Sequence, residues 1–328
     1  MNGATIRNAN LDLIKCIACL CVVGLHAVGM SNYTIYYLCD CGVPLFFMVN
    51  GYLLLSRKEV NYAYAFRKII HILKVVFLWN LLIAIPVFIF RRKLVNPFRL
   101  TFDSLMQKGY LWHFWFFGAL ILLYLLLPLL HKLVHGKKRP HRAVCFVLMC
   151  LCLYMSITSM VKGYPLHMFV PQPLRLWTWL FYFLLGGLFA ELSAGEYRIS
   201  PSVHGALLIL FTIINNFSQK RVGLYLTHSR LAEYFYDDFS SIVWYALLFT
   251  FLLRIPIKEK AASLISRLSN LTMGIFIIHP ILLTALNTVY LPQGNIATLA
   301  YWAGLTAVSC LISYIMMKLP IIKILIKN

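Results

Sequence analysis

Ten long apolar runs, joined by short connections rich in lysine and arginine, leave this 328-residue chain few ways to fold. The runs cover roughly 11–30, 38–56, 70–90, 113–131, 143–161, 175–192, 203–217, 240–256, 270–290 and 297–317. The seventh and eighth are among the shortest. Hydrophobic residues make up 61% of the chain and charged residues 12%, about half the usual charged share of roughly 25%. A single soluble core cannot hide so much apolar surface, and a disordered chain would not carry it. The pattern predicts an all-α polytopic membrane protein with about ten transmembrane helices, forming a single integral membrane domain over residues 1–328. Too little chain remains for a separate soluble catalytic domain, so any chemistry sits among the helices or in short loops. No repeat of 20–50 residues stands out, which argues against a solenoid and against a duplicated transporter. The first run carries Asp12 and Lys15 and lacks a small-residue cleavage site, so it reads as a first span and not as a cleavable signal peptide.

The net charge of +20 would suggest nucleic-acid binding in a soluble protein. Here the basic residues lie in connections, where they set membrane orientation, and no nucleic-acid partner is expected. With the N-terminus inside, cytoplasmic segments hold nineteen basic residues and outer segments ten. That balance predicts both termini on the cytoplasmic side. The segment 91–108, with Arg91, Arg92, Lys93, Arg99 and Lys108, runs against the rule, either because it is tolerated or because it meets an acidic substrate. Seven of the nine cysteines fall inside apolar runs, where small polarizable side chains suit helix contacts. Cys39 and Cys41 flank Asp40, but two thiols make a poor metal site. No His/Cys spacing resembles a zinc site, so no metal is expected.

Ionisable groups inside a span are costly and therefore point to function. The first run holds Asp12, Lys15 and His26. Lys15 and His26 are eleven residues apart, close to three helical turns, so they share one face about 16 Å apart along the axis. Asp12 is one turn below Lys15 and can pair with it. A histidine is the natural base for taking a proton from an alcohol. A positive group on the same stripe can hold the anionic end of an extended substrate. One helix thus offers a base and an anion anchor, although a snorkelling lysine and a packing histidine would occupy the same positions.

The spacing Lys15-x₁₀-His26 resembles membrane acyltransferase family three, the ten-helix O-acyltransferases that modify bacterial surface glycans. Three further blocks agree. Residues 43–54 (VPLFFMVNGYLL) are similar to the family's second-helix "FFxxSGYLL" block. His113-Phe114-Trp115-Phe116-Phe117, followed by Tyr124 and Pro128, is similar to its "HLWFL…Y…P" block. Gly274-Ile275-Phe276-Ile277-Ile278-His279-Pro280 is similar to its "YLIHP" block. The resemblance spans about residues 7–317. Three departures stand out. Asn50 replaces the usual Ser, Phe276 replaces the usual Tyr, and the basic Arg-x-x-Arg element appears only as Lys68-x-x-His71 with Arg67 and Lys74 nearby, so a bidentate phosphate grip by two arginines is lost.

The resemblance implies an acyl-CoA-dependent O-acetyltransferase in the plasma or inner membrane of a bacterial cell. Acetyl-CoA would be the donor, as a substrate, and a surface or lipid-linked glycan hydroxyl would be the acceptor. It implies His26 as general base or transient acyl carrier, with His113 and His279 as further catalytic candidates. Lys15, Arg67, Lys68 and His71 would face the donor's anionic end, and Asp12, Asn50 and Tyr124 would complete the site. His113 could equally be an interfacial aromatic-belt residue, and His279 a packing histidine beside Pro280. His131, His135 and His141 lie in or beside a basic loop and are expected to be solvated, and Glu191 reads as an interfacial carboxylate. The alternatives are a transporter or flippase for an anionic solute, which would use the same buried charges as a relay, and a non-catalytic subunit of a glycan-export complex.

The orientation has a direct test. In intact cells, a single cysteine at position 137 should resist an impermeant thiol reagent, while single cysteines in 91–111 and 218–239 should react. Labelling at 137 would reverse the topology.

Overall fold

A computed structural model describes residues 8–92, 94–136, 140–192, 199–320 and 322–326, and among them all regular structure is helical. Arg7, Lys93, Lys137, Lys138, Arg139, Arg198 and Lys327, which count toward the predicted orientation, lie outside the described residues, as does the Arg91 side chain. The helices are α1 (Ala9–Val28), α2 (Tyr33–Cys39), α3 (Gly42–Leu55), α4 (Tyr62–Arg91), α5 (Pro97–Leu105), α6 (Trp115–His135) and α7 (His141–Lys162). They are followed by α8 (Leu176–Glu191), α9 (Pro201–Arg221), α10 (Phe239–Leu253), α11 (Glu259–Ser269), α12 (Thr272–Leu286) and α13 (Asn295–Lys318).

Among the described residues, seven stretches are long and apolar enough to cross a membrane: α1, α2 with α3, α4, α6 with its preceding turn, α7, α9 with its continuation, and α13. The pair α11–α12, bent by 50° at Asn270 and Leu271, makes an eighth if taken as one broken span. The apolar helices α8 and α10, of 16 and 15 residues, are shorter. Each of the ten apolar runs therefore falls on helix, but only seven or eight have the length of a full crossing.

Local capping explains where the elements depart from the hydropathy pattern. Asn61 accepts from the Tyr64 amide at 2.9 Å and starts α4 at Tyr62, well before its apolar run. Arg67, Lys68 and His71 thus ride on helix, in its early turns. Ser200 caps α9 with Pro201 at its first position, and the helix continues through one π-turn, Val222–Leu226. Lys220 and Arg221, expected in an outer loop, accordingly sit in its last turn. Asn96 and Pro97 start α5 within the expected 91–108 loop. Both α5 and α11 are amphipathic, so a search for continuous apolar runs passes over them.

The bundle is built on α3, which touches α1, α6, α8 and α10. Lipid supplies no hydrophobic drive for helix association, so close backbone approach must supply the packing. A Cβ on Gly51 would overlap the Phe183 carbonyl, one on Gly186 the Met48 carbonyl, and one on Gly187 the Leu55 side chain. The two helix backbones meet at these glycines. Phe47 stacks on Trp179 at 4.6 Å beside the crossing. Helix α1 is tied in by polar contacts along its length. Asn10 Nδ2 donates to the Leu252 and Ile255 carbonyls at 2.9 and 2.7 Å, and Trp302 Nε1 donates to the Leu20 carbonyl at 3.1 Å.

Many buried polar groups find partners inside the protein, which suits a bilayer. Asp237 accepts from His167 Nε2 at 2.8 Å, Trp177 Nε1 at 2.7 Å and Thr178 Oγ1 at 2.7 Å. Asp40 accepts from Gln219 at 2.5 Å, and Gln219 also donates to Ser241 at 3.0 Å. Of the histidines expected in solvent, His131 and His141 are buried, while His135 is exposed as expected. His131 and His135 donate to the Arg57 and Leu55 carbonyls, both at 2.8 Å, closing the C-terminal end of α3. Buried His141 lies 2.7 Å from Glu191, which also meets Arg142 at 3.3 Å.

The glycine crossing predicts an asymmetric response to one methyl group. Gly51→Ala should destabilise the detergent-solubilised protein by about 1–3 kcal/mol, the cost of overpacking. Gly304→Ala, with nothing within 4 Å of its added carbon, should leave the thermal midpoint unchanged or raise it. Equal midpoints for the two variants would remove the crossing as a stabilising contact.

Candidate active site

Two charged groups and an imidazole on α1 set the axis of the site. Asn8 caps the helix through the Asn10 and Leu11 amides. Gly29, at φ +50°, ends it one turn after His26. Lys15 Nζ lies 3.3 Å from Asp12 Oδ1, and the same oxygen accepts from Ser269 Oγ at 2.8 Å. Asp12 is buried, whereas Lys15 keeps 27% of its side chain exposed.

At the other end of the stripe, His26 meets His279. Their Nδ1 and Nε2 atoms are 2.9 Å apart. Pro280 brings no amide proton, which leaves the Phe276 carbonyl without its usual partner and loosens the helix there. The His279 ring folds back over that turn, and its Nδ1 lies 2.8 Å from the Ile275 carbonyl. A carbonyl only accepts, so His279 Nδ1 carries the proton and, in the neutral ring, its Nε2 is the acceptor. His26 Nδ1 must then donate to it, which leaves the lone pair of His26 on Nε2. This tautomer assignment follows from the hydrogen-bond pattern. His279 is fully buried, while His26 is only half-buried.

His113 completes the cluster. It occupies a 3₁₀ turn, Trp112–Phe114, immediately before α6. Its ring centre is 6.3 Å from that of His279, and the Trp112 ring stands edge-on to His26 at 5.2 Å. His113 is buried, and neither ring nitrogen makes a well-formed hydrogen bond, although the Ile277 backbone lies beside it.

A cavity of about 420 Å³ runs from Lys15 toward this cluster. Lys15, Asn50, Tyr124, Ser269, Asn270 and Thr272 give it polar walls, and Phe46, Phe116, Phe117 and Phe276 give it an aromatic end. Ile326, buried after the short 3₁₀ turn Ile322–Leu325, also lines it. Trp79 Nε1 fastens that segment by donating to the Leu325 carbonyl at 2.9 Å.

Most of the candidate residues converge. His26, His113 and His279 form one cluster, although they come from helices more than eighty residues apart in sequence. Lys15, Asn50 and Tyr124 line one cavity, with Asp12 holding Lys15 from behind. Asn50 Nδ2 donates to the Phe46 carbonyl at 2.8 Å, which leaves its carbonyl oxygen for the cavity. Arg67, Lys68 and His71 do not line the cavity. Arg67 is exposed, the other two are half-buried, and of α4 only Ile72, one turn beyond Lys68, reaches the wall.

Sequence reasoning missed Ser269, Asn270 and Thr272, which the bend between α11 and α12 turns into the cavity. The Ser-Asn pair at the start of the last-but-one apolar run was the available signal. It also missed Trp112 as a neighbour of His26, for which sequence gives no signal.

A family model described as an acyltransferase domain matches residues 8–318. An amino-acid racemase of Enterococcus faecalis is 22% identical over 320 residues, covering 87% of this chain and 43% of that protein. The chain thus spans less than half the length of that relative. No solved structure matches it.

Proposed function

The chain belongs to acyltransferase family 3, and on that premise we propose that it is a membrane O-acyltransferase. It moves an acyl group, acetyl on the family's pattern, from cytoplasmic acyl-CoA to a hydroxyl of a cell-surface glycan. At its identity and coverage, the racemase's activity does not transfer to this chain. The observation that carries the reading is the 2.9 Å His26–His279 contact beyond the aromatic end of a cavity whose opposite end holds Lys15.

The chemistry follows from the tautomers. His26 Nε2 takes the proton from the acceptor hydroxyl as its oxygen attacks the thioester carbonyl. The carbon–sulfur bond then breaks, and the departing thiolate receives that proton from His26. His279 holds the ring of His26 in the tautomer that leaves Nε2 free, and it accepts more strongly from the imidazolium that forms. His113, whose ring centre is 6.3 Å from that of His279, is near enough to the pair to donate to the carbonyl oxygen as negative charge develops there. Lys15 faces the anionic part of the donor, and its tie to Asp12 one turn earlier on α1 holds the ammonium in place. Lys68 adds positive field at the expected cytoplasmic edge. A general base suits this hydrogen-bond pattern, because His279 holds His26 in the tautomer whose Nε2 lone pair can take a proton.

His26→Gln keeps size and hydrogen-bonding capacity but cannot take up a proton. It should reach normal membrane levels, bind acyl-CoA and lose at least about 100-fold in acyl transfer. His279→Gln, which keeps an acceptor for His26, should retain more activity than His279→Ala. Near-normal turnover of the His26 variant would sink the mechanism. Transfer from acetyl-CoA by the pure protein in detergent separates the enzyme from a transporter or an export subunit.

For the donor, Lys68→Glu should raise KM for acyl-CoA more than Lys68→Ala, since repulsion is added to loss. Equal values would leave Lys68 a topology residue alone.

A further inference from the structure

The three histidines stand just outside the cavity, and a phenylalanine ring of its wall touches two of them. Phe276 lines the cavity from α12 and is half-buried there. Its ring centre lies 5.6 Å from that of His113 and 6.2 Å from that of His279. On the cavity side it meets Phe117 at 5.4 Å and Phe116 at 5.6 Å, and Phe116 meets Phe46 at 5.9 Å. Helices α3, α6 and α12 thus close one end of the cavity with four aromatic rings. Of these four, Phe276 alone makes ring contacts with both histidines among the described residues.

We infer that Phe276 sets the length of acyl chain the protein transfers, admitting acetyl and rejecting longer chains. The inference rests on the acyltransferase reading. In that reading the thioester reaches the histidines from the Lys15 end, so the acyl group is the part of the donor that must fit against the aromatic wall. The Phe276 ring is confined by two phenylalanines on one side and two imidazoles on the other. It cannot swing away from the cavity without displacing packed atoms, and packed interiors resist such displacement. Each methylene added to the acyl chain would need space that the ring already fills. One methylene in a closed apolar pocket typically changes specificity by about 10–200-fold. The side chain at 276 lacks the hydroxyl of the Tyr expected from the resemblance, so the wall contacts hydrocarbon without offering a polar atom.

The test reads a ratio, which a general loss of folding or activity does not move. Membranes carrying the full chain and its endogenous acceptor are given acetyl-, butyryl- or octanoyl-CoA, and thiol release is counted after subtracting that of His26→Gln membranes. Phe276→Ala should raise the butyryl-to-acetyl ratio of kcat/KM by at least about tenfold, with Phe276→Leu intermediate and Phe276→Tyr at the wild-type ratio. The Leu variant carries the test if the Ala variant is not made in normal amounts. Wild-type ratios in both the Ala and Leu variants, with acetyl transfer intact, overturn this inference and leave the acyltransferase reading standing. No His26-dependent thiol release by the wild-type protein from any of the three donors overturns both.

Discussion

Hydrocarbon offers helices no hydrophobic reason to associate and offers a backbone no hydrogen bonds. A bundle of this kind must be held by close packing and by polar contacts that are complete within the protein. Here the packing centres on one crossing, where Gly51 of α3 rests against the Phe183 carbonyl and Gly186 of α8 against the Met48 carbonyl. No side chain larger than hydrogen fits at either contact. The approach fixes the rotation of α3, and α3 in turn presents Phe46, Val49, Asn50 and Leu53 to the cavity on its opposite flank. The neighbours α1, α6 and α10 pack against this hub, so the site inherits its geometry from two glycines that touch nothing in it.

The second constraint is electrostatic. The described part of the bundle buries several carboxylates, and each is answered locally. Asp237 receives three donors, Asp40 receives Gln219, and Asp12 receives Lys15 and Ser269. Each of these carboxylates thus has at least one donor inside the protein. The histidine cluster leaves a basic nitrogen open instead. The hydrogen bonds run from His26 through His279 to the Ile275 carbonyl and end there, leaving His26 Nε2 uncommitted. An incomplete polar network in a low-dielectric interior is costly. It persists where a substrate completes it.

The broken span α11–α12 shows how irregular helix serves a cavity. Asn270 and Leu271 interrupt the helix by 50°, and Ser269, Asn270 and Thr272 around the break turn toward the space beside Lys15. Non-helical backbone at such depth is tolerated where it lines a cavity instead of lipid. Pro280 acts similarly one turn beyond Phe276. By removing an amide proton it loosens the helix at the point where the His279 ring must turn back onto its own backbone.

Apolar runs and their spacing were sufficient to read a helical membrane protein from the sequence, because the bilayer couples hydropathy directly to helix length. The pairing of Asp12 with Lys15 was legible for the same kind of reason: both lie on one helix, where 3.6 residues per turn decides which side chains are neighbours. The four family-like blocks identified the residues now found around one cluster and one cavity. Sequence could not decide the amphipathic helices α5 and α11, whose apolar faces are too narrow to register as runs, or the start of α4, which a single asparagine cap controls. It misread His131 and His141 as solvated, because a basic loop nearby says nothing about which partners a ring can reach. Above all, it could not join His26 to His279. Those residues lie 253 positions apart, and only the packing of α12 against α1, with the tautomer that the Ile275 carbonyl imposes, makes them partners. Neighbours along one helix follow from a fixed rise and turn; neighbours across helices follow from where backbones can touch, and only the tertiary structure decides that.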